Sequence, residues 1–531
     1  MVGRPQVRGP GRHAEAGRAR EGPLTIDRAA LPALAPRIGR EILSDFERAS
    51  RLEWLVTNGL GGYAAGTAVG SASRRYHGLL VAAVLPPTDR VVTLTHLEES
   101  VQTPDGAVPL SSHQWPGTVS PEGHLHLEFF TAGRRPTWRW RVGALVLEKS
   151  VFMVHGRNTS LVEYRHVDGP PCELDLRPFL VQRDHHVLTR ENRAFRTQAD
   201  VLDGRVRLRP AIELPALWMS PSAGRFLPWP VWYQNFEYAF EVERGLDFHE
   251  DAMSPGPFAV PLEAGGRFVL ALSTEDESSG ALPPAGAALE RWADTAWARE
   301  EERLIAAECG PSRIVVPAAT PAGGVAAEET RLPAATLALL ARAADQFLVT
   351  GVHGPTVIAG YPWFTDWGRD SMIALPGLLR ATGRLDAGRG ILETFARFVE
   401  GGLLPNRFPE GVGGQPEYGT IDAALWFAVA GDAYLELSGD DAFLALVLDP
   451  ALEAILEGYA TGTRFGIRAA DDGLIEGGED GYALTWMDAK IDGRAVTPRR
   501  GKAVEINALW HNAWRTRAKW AERRGWLGAL D

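Results

Sequence analysis

The hydrophobic period changes once along this chain, near residue 275, and that change limits the fold more than any other feature. From about Leu52 to Ser273 short β-type runs dominate. The stretches 78–84, 90–95, 125–130, 145–153, 160–164 and 268–272 are apolar or alternate apolar with polar residues, and Gly, Pro and Asp punctuate them. Successive strands without intervening helices predict a large, mostly antiparallel β-sandwich. Beyond 285 the period is helical. The Ala/Glu/Arg-rich stretch 285–308 predicts a helix, and the Pro/Gly/Ala-rich stretch 309–331 predicts a loop or linker. Further helices are predicted over 333–349, 370–382, 386–400, 420–438, 441–460 and 501–524. Several are joined by long loops carrying Trp, Asp, Glu, Gly and Pro, which suits an α/α toroid whose loops build a pocket at one end. No short repeat period is visible, which argues against a solenoid.

The expected organisation is an α+β multidomain chain. A disordered basic tail covers 1–37, a β-sandwich domain 38–275, a helical linker and loop 276–331, and a toroid domain 332–531. The tail is Arg/Gly/Pro-rich and lacks the apolar segment of a secretory signal. At 531 residues, 45% hydrophobic and 23% charged, the chain has ordinary globular composition. Its net charge of -12 is spread rather than clustered, which argues against nucleic acid as a partner. No run of 18 apolar residues is present, so no membrane partner is expected. The two cysteines, Cys172 and Cys309, build neither a disulfide framework nor a zinc site, and a reducing, cytoplasmic setting is the expectation.

Three constellations could carry chemistry. The first runs from Gly360 to Asp370 and holds Trp363, Asp366, Trp367, Arg369 and Asp370 just before a helix. Asp370 stands where an N-cap would be. The segment reads either as a cap with an aromatic loop, or as a sugar clamp. In the clamp, Arg369 and Asp370 face adjacent hydroxyls, and Trp363 or Trp367 supplies a stacking wall. The second follows the loop 402–408 and places Asp422 and Trp426 four apart on one helix face. Asp422 could equally be an acidic residue favouring the helix dipole. The third is a glycine-rich acidic loop, 472–484, leading to Thr485-Trp486-Met487-Asp488, then Thr497-Pro-Arg-Arg and Val504-Glu505-Ile506. A carboxylate against an indole has its pKa raised, which suits a general acid at neutral pH; a surface turn is the plainer alternative. His353 and His511 are isolated and expected to be structural. Seventeen tryptophans beside carboxylates, with no metal-ligand cluster, point to glycoside chemistry.

In order and spacing these constellations resemble the glucosidase domain of the glycogen debranching enzyme family. The run 356–373 and the Thr485-Trp-Met-Asp488, Thr497-Pro-Arg and Val504-Glu-Ile506 motifs carry that resemblance. The runs 57–63 (Thr-Asn-Gly-Leu-Gly-Gly-Tyr), 73–81 (Ser-Arg-Arg-Tyr-His-Gly-Leu-Leu-Val) and 235–238 (Asn-Phe-Glu-Tyr) look like the prokaryotic family's N-terminal β domain. The resemblance implies a β-sandwich on an (α/α)6 barrel, and amylo-α-1,6-glucosidase activity: hydrolysis of α-1,6-linked glucose on glycogen or another branched α-glucan, with inversion and without cofactor or metal. By analogy with glucoamylase-like barrels, Arg369 and Asp370 look like holders of the terminal glucose hydroxyls. Asp488 looks like the general acid, with Asp370 as the alternative. Trp363, Asp366, Trp367, Asp422, Trp426, Trp486 and Glu505 are expected to converge with them on one concave face.

One departure shapes the expectation. About six helices follow the linker where a six-hairpin ring has twelve, and no residue matches the family's general base, which lies downstream of the Thr-Trp-Met-Asp motif. The expectation is therefore a C-terminally truncated, incomplete toroid with feeble hydrolysis, whose 420–438 helix leaves apolar surface facing water. An exo-α-1,4-glucosidase and a catalytically dead glucan-binding protein are the alternatives.

Overall fold

The computed structural model describes residues 36–104, 106–309, 333–408 and 415–525. The tail through residue 35 and nearly all of the 309–331 loop lie outside them.

The first half is built from two large sheets in which neighbouring strands run antiparallel. One is nine-stranded, around the meander Leu127–Ala132, Pro136–Val142, Leu145–Met153 and Thr159–Asp168. The other is ten-stranded and centres on the long strands Thr88–Thr103 and Cys172–Asp184. Period-two alternation sets which side chains enter the core. In Pro136–Val142, Pro136, Trp138 and Trp140 are buried and the residues between them are not. The sheets share one apolar core. Trp54 of the ten-stranded sheet meets Trp138 of the other edge to face at 5.4 Å, and Trp138 Nε1 donates to the Ala68 carbonyl at 2.8 Å. Buried Glu99 crosses the same core, paired with Lys149 and accepting from the Tyr164 hydroxyl at 2.8 Å. A charge at that depth is tolerable only with such partners.

The helices of three turns or more are numbered here α1 (Ala287–Glu308), α2 (Ala334–Gln346), α3 (Gly368–Thr382), α4 (Leu385–Arg397), α5 (Ala423–Ser438), α6 (Asp449–Thr461) and α7 (Val504–Arg523). Each falls on a segment of predicted helical period. A hairpin, Leu348–Gly351 with Gly354–Val357, lies between α2 and α3. α5 is apolar nearly all round and forms the centre of the helical core. Its expected exposure is found only in part. Ile421, Leu425 and Leu435 are buried, Val429 is half-buried and Leu437 is 41% exposed, and α7 lays Trp520 against Gly431, where an added Cβ would stand 3.1 Å from the indole. The Trp520 Nε1 also donates to Asp432 at 3.0 Å. The most exposed aliphatic side chains of the helical half are instead Val504 and Leu446. No described helix is long and apolar enough to cross a membrane.

Candidate active site

The site begins where α3 begins, two residues earlier than the sequence suggests. Trp367, not Asp370, is the N-cap. Gly368 makes this start possible: its N–H donates to the Asn406 carbonyl at 2.9 Å, and a Cβ there would lie 2.0 Å from the Pro405 carbonyl oxygen. Asp370 is thereby in the first helical turn, where a carboxylate suits the dipole.

Arg369 is the hub. It is buried, and its Nε donates to Asp422 Oδ2 at 2.7 Å, its Nη1 to Asp488 Oδ2 at 2.7 Å and its Nη2 to the Thr485 carbonyl at 3.1 Å. Three segments far apart in sequence are thus fixed by one planar fork. Asp422 is the N-cap residue of α5, yet its side chain makes no capping bond because it turns to Arg369. Burial pushes the Asp422 carboxyl up, against the pull of Arg369. Asp488 is less enclosed, its side chain 42% exposed. Its setting differs from the one expected. The partner of Asp488 is a guanidinium, and Trp486 is 57% exposed rather than packed into an apolar wall.

Asp370 opens to solvent on one side, but enough protein crowds it that desolvation, with the negative charge of Asp488, raises its carboxyl. Asp366 is 4% exposed, and burial pushes its carboxyl up to about 6, partly countered by Arg90 and Arg407. Glu505, in the first turn of α7, pairs with Arg499, whose Nη1 also donates to Thr485 Oγ1 at 3.3 Å. Glu505 therefore joins the hub through Arg499 and Thr485 rather than directly.

The tryptophans divide. Trp367 sits beside Phe364 at the entry to α3, and Trp426 is half-buried one turn after Asp422. Trp363 turns toward the β half, with Tyr76 at 6.4 Å and the Arg74 guanidinium over its ring at 5.3 Å. Asn406 and Arg407 belong here too. Asn406 Oδ1 accepts from the Arg369 N–H at 3.4 Å, and Arg407 bridges Trp367 and Glu417 through its backbone. Both stood in the 402–408 loop, but a Pro-Asn pair there signals a turn and not a partner. Buried polar atoms without a protein partner gather in the same segments: Trp363 Nε1, Asp366 Oδ1, Arg407 Nε, Thr420 Oγ1 and Asp422 Oδ1. Mixed donors and acceptors of this kind suit hydroxyl groups. Among the described residues no group of His, Cys, Asp and Glu could hold a metal ion.

Two family models match this chain in order. The glycogen debranching enzyme N-terminal model covers residues 52–269 and the amylo-α-1,6-glucosidase model covers 342–525. The chain is similar to the glycogen debranching enzyme of Saccharomyces cerevisiae, at 28% identity over 239 residues, a match spanning 34% of this chain and 15% of the yeast protein. Among solved structures it is similar to a bacterial glucoamylase complexed with acarbose, with 11% identity, a TM-score of 0.37, and 89% of this chain and 67% of that one covered. A second is a GH92 family glycosyl hydrolase, with 11% identity, a TM-score of 0.25, and 82% and 67% covered. With both the sandwich and the helical half matched by its models, the chain belongs to the glycogen debranching enzyme family.

Proposed function

We propose that this chain is a glycoside hydrolase of the debranching type, acting on α-1,6-linked glucose of glycogen or a similar α-glucan. The observation that carries the reading is the Arg369 fork, which holds Asp422 and Asp488 at 2.7 Å each inside the segment matched by the amylo-α-1,6-glucosidase model. Arg369 engages only Oδ2 of Asp488, and no protein partner holds Oδ1 among the described residues. In this reading that oxygen gives a proton to a leaving glycosidic oxygen, while Arg369 keeps the carboxyl oriented. Asp370 accepts from the terminal glucose hydroxyls, or takes the acid's role if Asp488 does not. Trp486 and Trp367 offer indole faces to pyranose rings, and Asp366, Asp422, Trp363, Trp426 and Glu505 hold the wall. The mechanism is inverting, with water attacking opposite the leaving oxygen and passing its proton to a carboxylate base, a role assigned to none of the residues above. In this reading the helices form part of an (α/α)6 ring, with the sandwich domain at 38–275.

A second reading is an α-glucan-binding chain without cleavage. Asp422 is committed to Arg369 and Asp366 is sealed from solvent, so neither serves as the base that activates water. Glucose release from a phosphorylase-limit dextrin, measured beside binding of the same dextrin, separates the two. Release with binding supports the hydrolase, binding alone supports the second reading, and neither refutes both.

A further inference from the structure

Arg90 lies on the strand Thr88–Thr103 and is fully buried. Among the described residues no carboxylate stands within ion-pair distance of it. Its Nε donates to the Gly61 carbonyl at 2.9 Å, and its Nη1 to the Pro362 carbonyl at 3.2 Å and the Phe364 carbonyl at 2.9 Å. Its guanidinium sits 5.8 Å from the ring of Tyr63 and 5.0 Å from that of Tyr361, and those two rings meet edge to face at 5.6 Å. Its Nη2 is buried without a protein partner, and although Asp366 is near enough to feel its charge the two are not paired, so this buried cation, bonded to carbonyls and rings, is costly to desolvate. An apolar side chain of the same size would be cheaper if nothing but packing were at stake.

The turn that meets Arg90 is the Thr57–Tyr63 run, a motif with no role in the chemistry above. Gly61 has φ +89, and a Cβ on it would lie 2.5 Å from the Pro87 carbonyl oxygen, so only glycine brings its own carbonyl to this place. The same turn and its neighbours hold the helical half at further points. Thr350 N donates to the Gly59 carbonyl at 2.9 Å, Val352 N to the Pro86 carbonyl at 2.8 Å and Gln346 Nε2 to the Leu55 carbonyl at 3.2 Å. Arg90 alone among these reaches the loop 360–367, which carries Trp363 and Asp366 and runs directly into Gly368, Arg369 and Asp370.

We propose that Arg90 is a positioning residue for the candidate active site. From the β-sandwich it fixes the 360–367 loop, and so the place at which α3 presents Arg369 and Asp370. The sandwich is thereby a working part of the site and not only a packing partner of the helices. The expected effect on sugar binding rests on the glucosidase reading; the effect on the loop does not.

The test uses the full chain with Arg90→Lys, which keeps the charge and loses the planar fork. Two quantities are measured: amide hydrogen exchange over 360–371, and isomaltose affinity by calorimetry. Both should change by roughly tenfold, exchange becoming faster and binding weaker, while strands at 145–168 exchange as before. Val151→Ala, in the sandwich core, is the control for simple destabilisation. It should lower the unfolding temperature and leave both quantities unchanged. If Arg90→Lys does not fold, Tyr361→Leu removes the ring on the loop side and should loosen 360–371 in the same way. Unaltered exchange in a folded Arg90→Lys chain, or equal loosening by Val151→Ala, overturns the proposal. If the unsubstituted chain binds no isomaltose while Arg90→Lys still loosens 360–371, the positioning role stands and the glucosidase reading falls.

Discussion

Arg369 donates to Asp488 at 2.7 Å across 119 residues of sequence, and its other edge donates to Asp422 at the same distance. One side chain on the first turn of α3 thus sets the separation of two carboxylates that no local structure relates.

Arg369→Lys should therefore cost more than its conserved charge suggests. An ammonium is a point charge and cannot hold two carboxylates and a carbonyl in one plane. Glucan affinity and turnover should each fall by roughly ten- to a hundredfold, as expected for losing charged hydrogen bonds. Arg369→Ala leaves Asp422 buried without its partner and should destabilise the fold by on the order of 3–5 kcal/mol. Denaturant unfolding and initial-rate kinetics check both; a lysine variant with unchanged affinity would show that the fork is not needed.

Asp366 should make stability depend on pH in an unusual direction. Its carboxyl is raised from 3.8 to about 6 by burial. A carboxyl raised on folding binds more protons in the folded state, so its contribution is complete below about pH 4 and is lost as pH rises through about 6. Asp366→Asn removes that loss. The variant should match the parent chain at about pH 4 and exceed it by about 3 kcal/mol at about pH 8. Parallel unfolding curves at the two pH values are the check, and a constant difference between them would contradict the assignment.

Trp486 and Trp363 should separate binding from folding. Trp486 is 57% exposed, so Trp486→Ala should leave the unfolding temperature nearly unchanged and weaken dextrin binding about three- to tenfold, the worth of one aromatic stacking contact. Trp363 packs on Tyr76 and Arg74 of the β half, so Trp363→Ala should lower the unfolding temperature as well. Equal stability losses in both variants would count against this division.

The change from strands to helices was legible because period-two and period-3.6 patterns are local. Pro136–Val142 and α5 state their own structure in a few residues. The Trp- and Asp-rich loops stand out as a candidate site because so much polar and aromatic chemistry beside a helix start has few structural uses. What the sequence did not disclose was pairing. Nothing near Asp422 marks it as a partner of Arg369 rather than a cap, and Trp363 looks like Trp367 until the β half is in place. The start of α3 was misjudged because Asp370 has a capping residue's chemistry, while the contact that moves the start, Gly368 against the Pro405 carbonyl, lies between distant residues.

The assignment of Asp488 as the proton donor is tested most directly by glucose release from a phosphorylase-limit dextrin, comparing the full chain with its Asp488→Asn variant. An amide keeps the hydrogen-bonding shape beside Arg369 and has no acid proton to give. The predicted result is release slowed by ~10²–10⁴-fold with dextrin binding nearly unchanged. In the companion Asp370→Asn chain, binding should weaken together with release. An Asp488→Asn chain that releases glucose at the parent rate would contradict the account.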